Sequence, residues 1–200
     1  MELFKSAAIL AGGKSSRMGF DKQFLKVNER RVIDGIISNL KKEFDEIIVV
    51  TNKPEKYLGI KSKIVTDRIE KKGPLSGIHA ALSEANSKYV YFTACDMPNI
   101  NIDYIRYMKK NIMKTKKEVC VTKIRDWIEP FNGFYSVDIL PFIEGHLYSN
   151  KRSILSLIKN LNCLYIEEVV ARKFSPNWDM FLNLNTKDDL NSYIRRIKNE

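Results

Sequence analysis

Residues 4–22 read FKSAAILAGGKSSRMGFDK, an apolar run that passes into glycines and then into a loop rich in hydroxyls and cations. The run 7–10 is apolar throughout, which is typical of a short strand that is covered on both faces. Gly12 and Gly13 follow it, and the absence of a Cβ lets their backbone N–H groups approach a ligand closely. Successive N–H groups in such a turn form a concavity that binds anions. The stretch therefore predicts a buried strand that ends at an anion site.

Arg17 and Lys22 add permanent positive charge to this loop. Both residue types bind phosphate, Arg17 as a planar clamp and Lys22 as a point charge. The spacing matches neither the GxxxxGK[ST] phosphate loop nor the GxGxxG dinucleotide motif. A tight glycine turn with two surface cations is the alternative interpretation. The combination of glycines and cations directly after a strand favours a phosphate site.

Short strand-type runs, rich in Ile, Val, Tyr and Phe, alternate with helical patterns along the chain. The strand-type runs are 7–10, 47–51, 64–66, 89–94, 119–122, 130–137 and 163–169. The helical patterns cover 32–40, 78–85, 102–112, 139–144, 153–161 and 186–197, with Thr186 as a predicted N-cap. This alternation predicts an α/β protein with three layers, α/β/α, of Rossmann-like type around a mostly parallel sheet. The length of 200 residues fits one domain, 1–200.

Polar side chains follow three further predicted strands. Asn52 comes after the second strand, Asp67 after the third and Asp96 after the fourth. Ligands of an open parallel sheet bind at the carboxyl ends of its strands, so these clusters should share one cleft. Asp96 could hold Mg²⁺, which needs only one or two protein carboxylates, or it could cap the turn that Pro98 favours. For Asp67, nucleoside contact, metal binding and capping all stay open.

The composition narrows the classes of partner. The net charge of +10 attracts anions, yet no RNP, helix-turn-helix or zinc-finger pattern appears, so we expect no specific nucleic-acid partner. No apolar run approaches the ~18 residues of a membrane span, and the first residues lack a signal peptide's apolar region, so we expect no membrane association. The three cysteines, Cys95, Cys120 and Cys163, are widely spaced and fit a reducing compartment. These features predict a cytoplasmic protein.

Trp127 and Trp178 are the two tryptophans of the chain. Either ring could stack on an aromatic ligand. Packing in the core or at its rim is the commoner role for such a residue, and we expect it here.

Taken together, these motifs resemble the MobA-type molybdenum cofactor guanylyltransferases of the glycosyltransferase-A-like nucleotidyltransferase superfamily. The first loop is similar to that family's LAGGxSxRMGxDK signature at every fixed position. Four further segments are similar to family motifs in the same order. They are GPLSGIHAAL (73–82), CDMP (95–98), EPFNGFY (129–135, pattern E-P-x-x-G-x-Y) and FLNLNT (181–186).

The resemblance implies the fold of the nucleotide-diphospho-sugar transferases, with a nucleotide-binding half at about 1–100 and an acceptor-side half at about 101–200. It implies transfer of GMP from GTP to the terminal phosphate of Mo-molybdopterin, which forms Mo-molybdopterin guanine dinucleotide and releases diphosphate. It also implies Mg²⁺ as cofactor. A companion GTP-binding protein and acceptor molybdoenzymes would be the protein partners.

The resemblance also assigns roles to residues at the matched motifs. Lys22 and Asp96 would carry catalysis, with Arg17 added on physical grounds as a phosphate clamp. Asn183 and Asn185 would face the pterin. The residues that would contact the nucleotide are Leu10, Ala11, Gly12, Gly13, Lys22, Asn52, Asp67 and Asp96, of which Asp96 would also bind the metal.

Other interpretations belong to neighbouring or different classes. The cytidylyltransferase relatives have LAAGxSxRMG, with alanine where this chain has Gly12, and lack the GPLxG segment that this chain has at 73–77, so both features favour guanine. A sugar-phosphate transferase would normally be longer. The remaining alternatives are a non-catalytic nucleotide-binding protein and a basic nucleic-acid-binding protein.

Overall fold

The computed structural model describes residues 2–12, 26–27, 30–69 and 73–199, and strands and helices alternate along them. The strands are β1 (Ser6–Leu10), β2 (Lys26–Val27), β3 (Arg30–Arg31), β4 (Glu46–Val50), β5 (Lys63–Val65), β6 (Tyr89–Ala94), β7 (Val119–Ile124), β8 (Trp127–Ser136) and β9 (Cys163–Glu167). The helices are α1 (Val32–Leu40), α2 (Pro74–Glu84), α3 (Ile102–Thr115), α4 (Leu140–Tyr148), α5 (Ile154–Ile158), α6 (Glu168–Ala171) and α7 (Lys187–Asn199). Among these described helices, none combines the length and the apolar character that crossing a membrane would need.

Seven strands form one sheet in the order β5-β4-β1-β6-β8-β7-β9. Every neighbouring pair is parallel except β6–β8 and β7–β8, because β8 runs against both of its neighbours. The predicted α/β class with a mostly parallel sheet is therefore confirmed. The sheet combines strands from both predicted halves of the chain, whereas the division of residues 1–200 into these halves stays a prediction.

Helices cover both faces of the sheet, as the apolar strands require. Along β1, Ala7 and Ile9 belong to a core shared with α1 and α3. Ala8 and Leu10 point the other way, into a core shared with α2, α4 and α5. Successive side chains of a strand alternate between its faces, so an all-apolar strand needs a cover on each side. The predicted three-layer arrangement is confirmed.

Several boundaries in the last third of the chain differ from the sequence-based prediction. The predicted strand 130–137 begins three residues earlier, because a tight turn at 125–126 joins β7 directly to β8. The predicted strand 163–169 ends at Glu167, and the chain turns helical at once in α6. A short apolar run does not distinguish a buried strand from a buried helix, which explains the second error.

The pairing of β7 with β8 contains a large bulge. Cys120 lies opposite Phe134, and Thr122 lies opposite Glu129. The four residues 130–133 of β8 therefore stand against a single residue of β7. A bulge bends its strand and turns the adjacent side chains toward a new direction, which here concerns Glu129.

The close approach of Gly133 to β7 and one hydrogen bond hold this bulge in shape. A Cβ on Gly133 would lie 2.8 Å from the backbone oxygen of Cys120, closer than a real Cβ approaches such an atom. The Tyr135 hydroxyl donates a hydrogen bond of 2.6 Å to the Pro130 carbonyl oxygen, within the same arch. Asn132, in the middle, has a left-handed φ of 50°, a conformation that asparagine tolerates better than most residues.

Replacing Gly133 by alanine should destabilise the protein by about 1–3 kcal/mol, because the new methyl must push β7 and β8 apart. Urea unfolding of the purified variant measures the loss. Gly145→Ala in α4 is the matched control, since its Cβ meets no atom within 4 Å and alanine favours a helix. Equal stability of the two variants would contradict this account of the bulge.

Candidate active site

The end of β1 opens toward solvent between its two neighbours. The Ala11 N–H donates to the Val50 carbonyl at 2.8 Å, and the Cys95 N–H donates to the Leu10 carbonyl at 3.1 Å. Leu10 and Ala11 are buried, while Gly12 is exposed. Among the described residues, no atom lies within 4 Å of the position that a Gly12 Cβ would take. The backbone at Gly12 is thus accessible to a ligand.

Three residues predicted to bind phosphate, Gly13, Arg17 and Lys22, lie outside the described residues. Their roles stay predictions from the sequence. The part of the site that the structure describes consists of the β1 end and the groups beside it.

Asn52 and Asp67 pair with each other at the ends of β4 and β5. The Asn52 side-chain amide donates to a carboxylate oxygen of Asp67 at 3.0 Å. The Asp67 N–H donates back to the Asn52 side-chain oxygen at 3.4 Å. Thr51 N–H donates to the Val65 carbonyl, which continues the strand pairing up to this point. The two predicted nucleoside-binding residues therefore form one polar unit, and their role in binding stays a prediction.

The first turn of α2 lies over this edge of the sheet. The helix begins at Pro74, four residues before the predicted helical pattern of 78–85, and proline suits the first turn of a helix. A Cβ placed on Gly77 would lie 3.2 Å from Leu10 Cδ2 and 3.7 Å from Asp67 Oδ1. The lack of a side chain at Gly77 thus lets the helix approach both strand ends. The unpaired N–H groups of a helix N-terminus favour a negatively charged ligand at such a place.

Asp96 and Glu129 form an acidic pair on the far side of β1. Asp96 follows β6 in a tight turn, and Glu129 lies near the start of β8. The pKa of the Glu129 carboxyl is raised to about 7, mainly by burial; a hydrogen bond from the Phe131 N–H opposes this rise, and the negative charge of Asp96 adds to it. A carboxyl group whose ionisation is disfavoured by burial and by a nearby negative charge is a common feature of functional sites.

Glu129 is the site residue that the sequence reasoning missed. The strand-end rule searches for polar residues after a strand, but Glu129 comes at the beginning of one. It reaches the same edge because β8 runs in the opposite direction to β6, with Phe92 opposite Gly133. The EPFNGFY motif contains Glu129 and matches a family pattern, but the match alone indicates no role for this carboxylate.

The segment 182–185 lies directly beside the acidic pair. The Leu184 N–H donates a 2.8 Å hydrogen bond to the backbone oxygen of Asp96. The Asn183 side-chain amide donates to the Phe181 carbonyl at 3.1 Å, and Asn183 is half-buried, whereas Asn185 is exposed. The structure thus brings the two asparagines to the edge that carries Asp96, and their contact with the pterin stays a prediction.

The start of α7 is closed by a reciprocal capping box. The Asp189 N–H donates to the Thr186 hydroxyl at 3.0 Å, and the Thr186 N–H donates to the Asp189 carboxylate at 2.8 Å. The predicted N-cap at Thr186 is confirmed. The cap fixes the end of the segment 182–185, whose Leu184 is bonded to the Asp96 backbone.

The donor chemistry of the acidic pair fits a hard divalent cation. The two carboxylates supply oxygen ligands. Within the described residues, no larger group of three or more His, Cys, Asp or Glu side chains is placed to hold a metal ion. Mg²⁺ usually binds through one or two carboxylates and takes its other ligands from water and substrate phosphates. Asp96 and Glu129 are the residues that would hold such an ion.

Comparison with known proteins agrees with this arrangement. Residues 7–164 match the family model described as MobA-like NTP transferase domain. A "Molybdenum cofactor guanylyltransferase" from Syntrophotalea carbinolica is 51% identical over 193 residues, which cover 96% of this chain and 92% of that protein. A "Probable molybdenum cofactor guanylyltransferase" from Peptoclostridium acidaminophilum is 50% identical over 204 residues, covering 100% of this chain and 92% of that protein. The chain belongs to the MobA-like NTP transferase family and is a nucleotidyltransferase.

Solved structures show the same fold. The molybdopterin-guanine dinucleotide biosynthesis protein A from Archaeoglobus fulgidus superposes with a TM-score of 0.85 at 25% identity, covering 98% of this chain and 100% of that protein. A nucleotidyl transferase from Methanothermobacter superposes with a TM-score of 0.72 at 17% identity, covering 98% and 100% of the two chains. Enzymes of the MobA-like family generally use a divalent metal ion.

The raised pKa of Glu129 predicts a pH-dependent stability for the metal-free protein. Because this pKa is about 7 in the folded state and 4.5 ordinarily, the folded protein retains a proton that the unfolded chain releases in this interval. The stability contribution of Glu129 therefore falls as pH rises from about 4.5 to 7, by about 3 kcal/mol at most. Glu129→Gln removes the ionisation and should gain stability relative to wild type between pH 5 and pH 8.

Urea unfolding in EDTA at pH 5, 6, 7 and 8 measures this difference. Glu55→Gln, an exposed position on the 3-10 turn after β4, serves as the control and should follow the wild-type profile. A stability gain of Glu129→Gln that is the same at pH 5 and pH 8 would contradict the raised pKa.

Proposed function

We propose that this enzyme transfers GMP from GTP to the terminal phosphate of Mo-molybdopterin, forming Mo-molybdopterin guanine dinucleotide and diphosphate. The observation that carries the proposal is the meeting of two polar units at one edge of the sheet. The Asn52–Asp67 unit lies on one side of the open end of β1, and the Asp96–Glu129 pair lies on the other. The names of relatives about half identical to this chain support the choice of substrates.

The sheet order supports a division of the edge into two sides. The ends of β5, β4 and β1 come first, followed by β6 and then β8. We assign the guanine nucleoside to Asn52 and Asp67, and the triphosphate to the Leu10–Gly12 backbone with Gly13, Arg17 and Lys22. The acceptor then approaches from the β8 side, where Asn183 and Asn185 are found. The acidic pair lies where these two sides meet.

We propose Mg²⁺ as the divalent ion, held by Asp96 and Glu129. When bound, it would neutralise phosphate charge and stabilise the departing diphosphate. The fit rests on the two carboxylates described above, which supply the oxygen ligands that this ion prefers.

The reaction is an in-line phosphoryl substitution. An oxygen of the acceptor's terminal phosphate forms a bond to the α-phosphorus of GTP, while the bond from that phosphorus to the bridging oxygen breaks and diphosphate leaves with the electron pair. The attacking phosphate is already ionised near neutral pH, so no side chain needs to remove a proton. The task of the chain is to position two anions and to offset their repulsion.

The named residues meet this requirement by charge and geometry. Arg17 and Lys22 supply the positive charge opposite the phosphates. The backbone N–H groups after β1 and at the start of α2 add fixed dipoles that favour negative charge. Asn52 and Asp67 are already oriented by their mutual hydrogen bonds, so binding of the nucleoside requires little reordering.

We also propose protein partners and a cellular compartment for this enzyme. A companion GTP-binding protein and the molybdoenzymes that receive the product are the expected protein partners. None of the three cysteines is in a disulfide bond, which supports a reducing compartment, and we place the enzyme in the cytoplasm on that ground.

Calorimetric titration with GTP and with CTP in the presence of Mg²⁺ tests the nucleotide preference. We expect tight binding of GTP, clearly weaker binding of CTP, and loss of affinity in Lys22→Ala. A preference for CTP would move the assignment to the cytidylyltransferase relatives. No binding of either nucleotide by the folded protein would contradict the assigned site.

Asp96→Asn should lower the rate of GMP transfer to molybdopterin about 100-fold or more, because the variant loses a charge needed to hold the cation. Quantifying diphosphate release together with the guanine dinucleotide measures the rate. Asp103→Asn, an exposed aspartate in the first turn of α3, is the matched control and should retain the wild-type rate. Near-normal transfer by Asp96→Asn would refute the role of this carboxylate.

A further inference from the structure

Trp127 is a large aromatic side chain left half-exposed beside the acidic pair. Its side chain is 56% exposed, although it stands at the first residue of a sheet strand. The other tryptophan differs: the Trp178 ring lies 4.8 Å from the Phe181 ring, and the Arg172 guanidinium covers it at 4.5 Å. The expectation of core or rim packing therefore suits Trp178 and leaves the exposure of Trp127 unexplained.

The strand register places Trp127 on the same face of β8 as Glu129. Thr122 of β7 lies opposite Glu129, and Ile124 lies opposite Trp127. Side chains two residues apart along a strand share a face and stand roughly 7 Å from each other. The Thr122 hydroxyl is 2.6 Å from the Tyr104 hydroxyl of α3, so this shared face is the α3 side of the sheet.

The segment 181–185, which contains Phe181 and Leu184, packs on that same face. The Tyr104 ring contacts the Phe181 ring in an edge-to-face arrangement with centroids 6.3 Å apart. Three residues later, Leu184 donates its hydrogen bond to the Asp96 backbone. Trp127, Glu129 and this segment thus border one region, on the side of the acidic pair that faces away from β1, β4 and β5.

We propose that the indole of Trp127 stacks on the pterin ring system of molybdopterin and selects the acceptor. This inference rests on the proposed function and adds a binding residue to it. The terminal phosphate of molybdopterin is separated by only a few bonds from its fused ring system, whose pyrimidine ring is the flat part that can stack. A phosphate at the acidic pair therefore carries the ring system toward the neighbouring exposed surface, where Trp127 stands two residues from Glu129 along β8.

The chemistry of both rings suits this contact. Stacking of a heteroaromatic ring on an exposed aromatic side chain is worth ~1–3 kcal/mol in nucleic-acid complexes, where it tolerates different ring types. An indole offers a large rigid surface at low entropic cost, since only two torsions are fixed. The guanine ring has no part in this contact, because the Asn52–Asp67 unit assigned to the nucleoside lies at the ends of β4 and β5, and β1 and β6 separate it from β8.

Steady-state kinetics with varied molybdopterin at saturating GTP and Mg²⁺ tests the proposal. Trp127→Ala should raise KM for molybdopterin about 10-fold, with kcat and the calorimetric affinity for GTP unchanged. Trp127→Phe should restore most of the lost affinity, since a smaller aromatic ring still stacks. Phe142→Ala is the matched control: this phenylalanine is 52% exposed on α4, on the other face of the sheet, and its loss should change nothing.

A binding measurement separates this inference from the proposed function. Molybdopterin should quench tryptophan fluorescence in wild type and in Trp178→Phe, but not in Trp127→Phe. Quenching that survives in Trp127→Phe, or an unchanged KM in Trp127→Ala, would overturn the stacking contact. Equal losses of GTP and molybdopterin affinity in Trp127→Ala would show a structural role and overturn it as well. Failure of wild type to prefer GTP or to transfer GMP would refute the proposed function itself, whatever the fluorescence shows.

Discussion

The side chain of Asn132 ties together three parts of the molecule on which the acceptor side depends. It is 2% exposed, it accepts a 3.1 Å hydrogen bond from the Tyr91 hydroxyl of β6, and its amide donates to the Met180 carbonyl. One residue of β8 thus fixes the neighbouring strand and the segment that leads to Leu184. Removal of such a bridge would leave buried polar groups without partners, at ~1–3 kcal/mol for each group. Asn132 also has a left-handed backbone conformation, and regular pairing of β8 with β7 resumes two residues later, at Phe134.

The reversed direction of β8 explains how two carboxylates meet at the site. In a purely parallel sheet, each strand contributes the residues that follow its carboxyl end. An antiparallel strand inserted among parallel ones contributes the residues at its beginning. Asp96, after the end of β6, and Glu129, near the start of β8, therefore lie at the same edge of the sheet. Ionisation of Glu129, which is buried and lies near the negative charge of Asp96, costs free energy in the protein alone, and a divalent cation would offset this cost. A site that is unfavourable when empty is a common result of selection for binding.

The places of several polar residues on the sheet could be predicted from the sequence, because their signals are local. Pro74 marks the start of a helix, and Asn52, Asp67 and Asp96 each follow an apolar run, so composition and order suffice to place them. The arrangement of the acceptor side could not be predicted, because it depends on the pairing of strands that are distant in the sequence. The position of Glu129 is set by strand direction and by a bulge. Neither leaves a periodic pattern in the sequence. The exposure of Trp127 follows from the same pairing, and no property of the residue itself distinguishes it from Trp178.

The strand order also constrains how the polypeptide can be assembled. On the side away from β1, the strand that pairs with β6 is β8, whereas the next strand along the chain is β7, which lies one position further out. While the chain is being synthesised, the hydrogen-bonding edge of β6 therefore stays without its partner until residues 133–136 have emerged. An unpaired apolar strand edge is a template for intermolecular pairing. A polypeptide that stopped after α3 would display this edge permanently, so the nucleotide side should aggregate when it is expressed by itself.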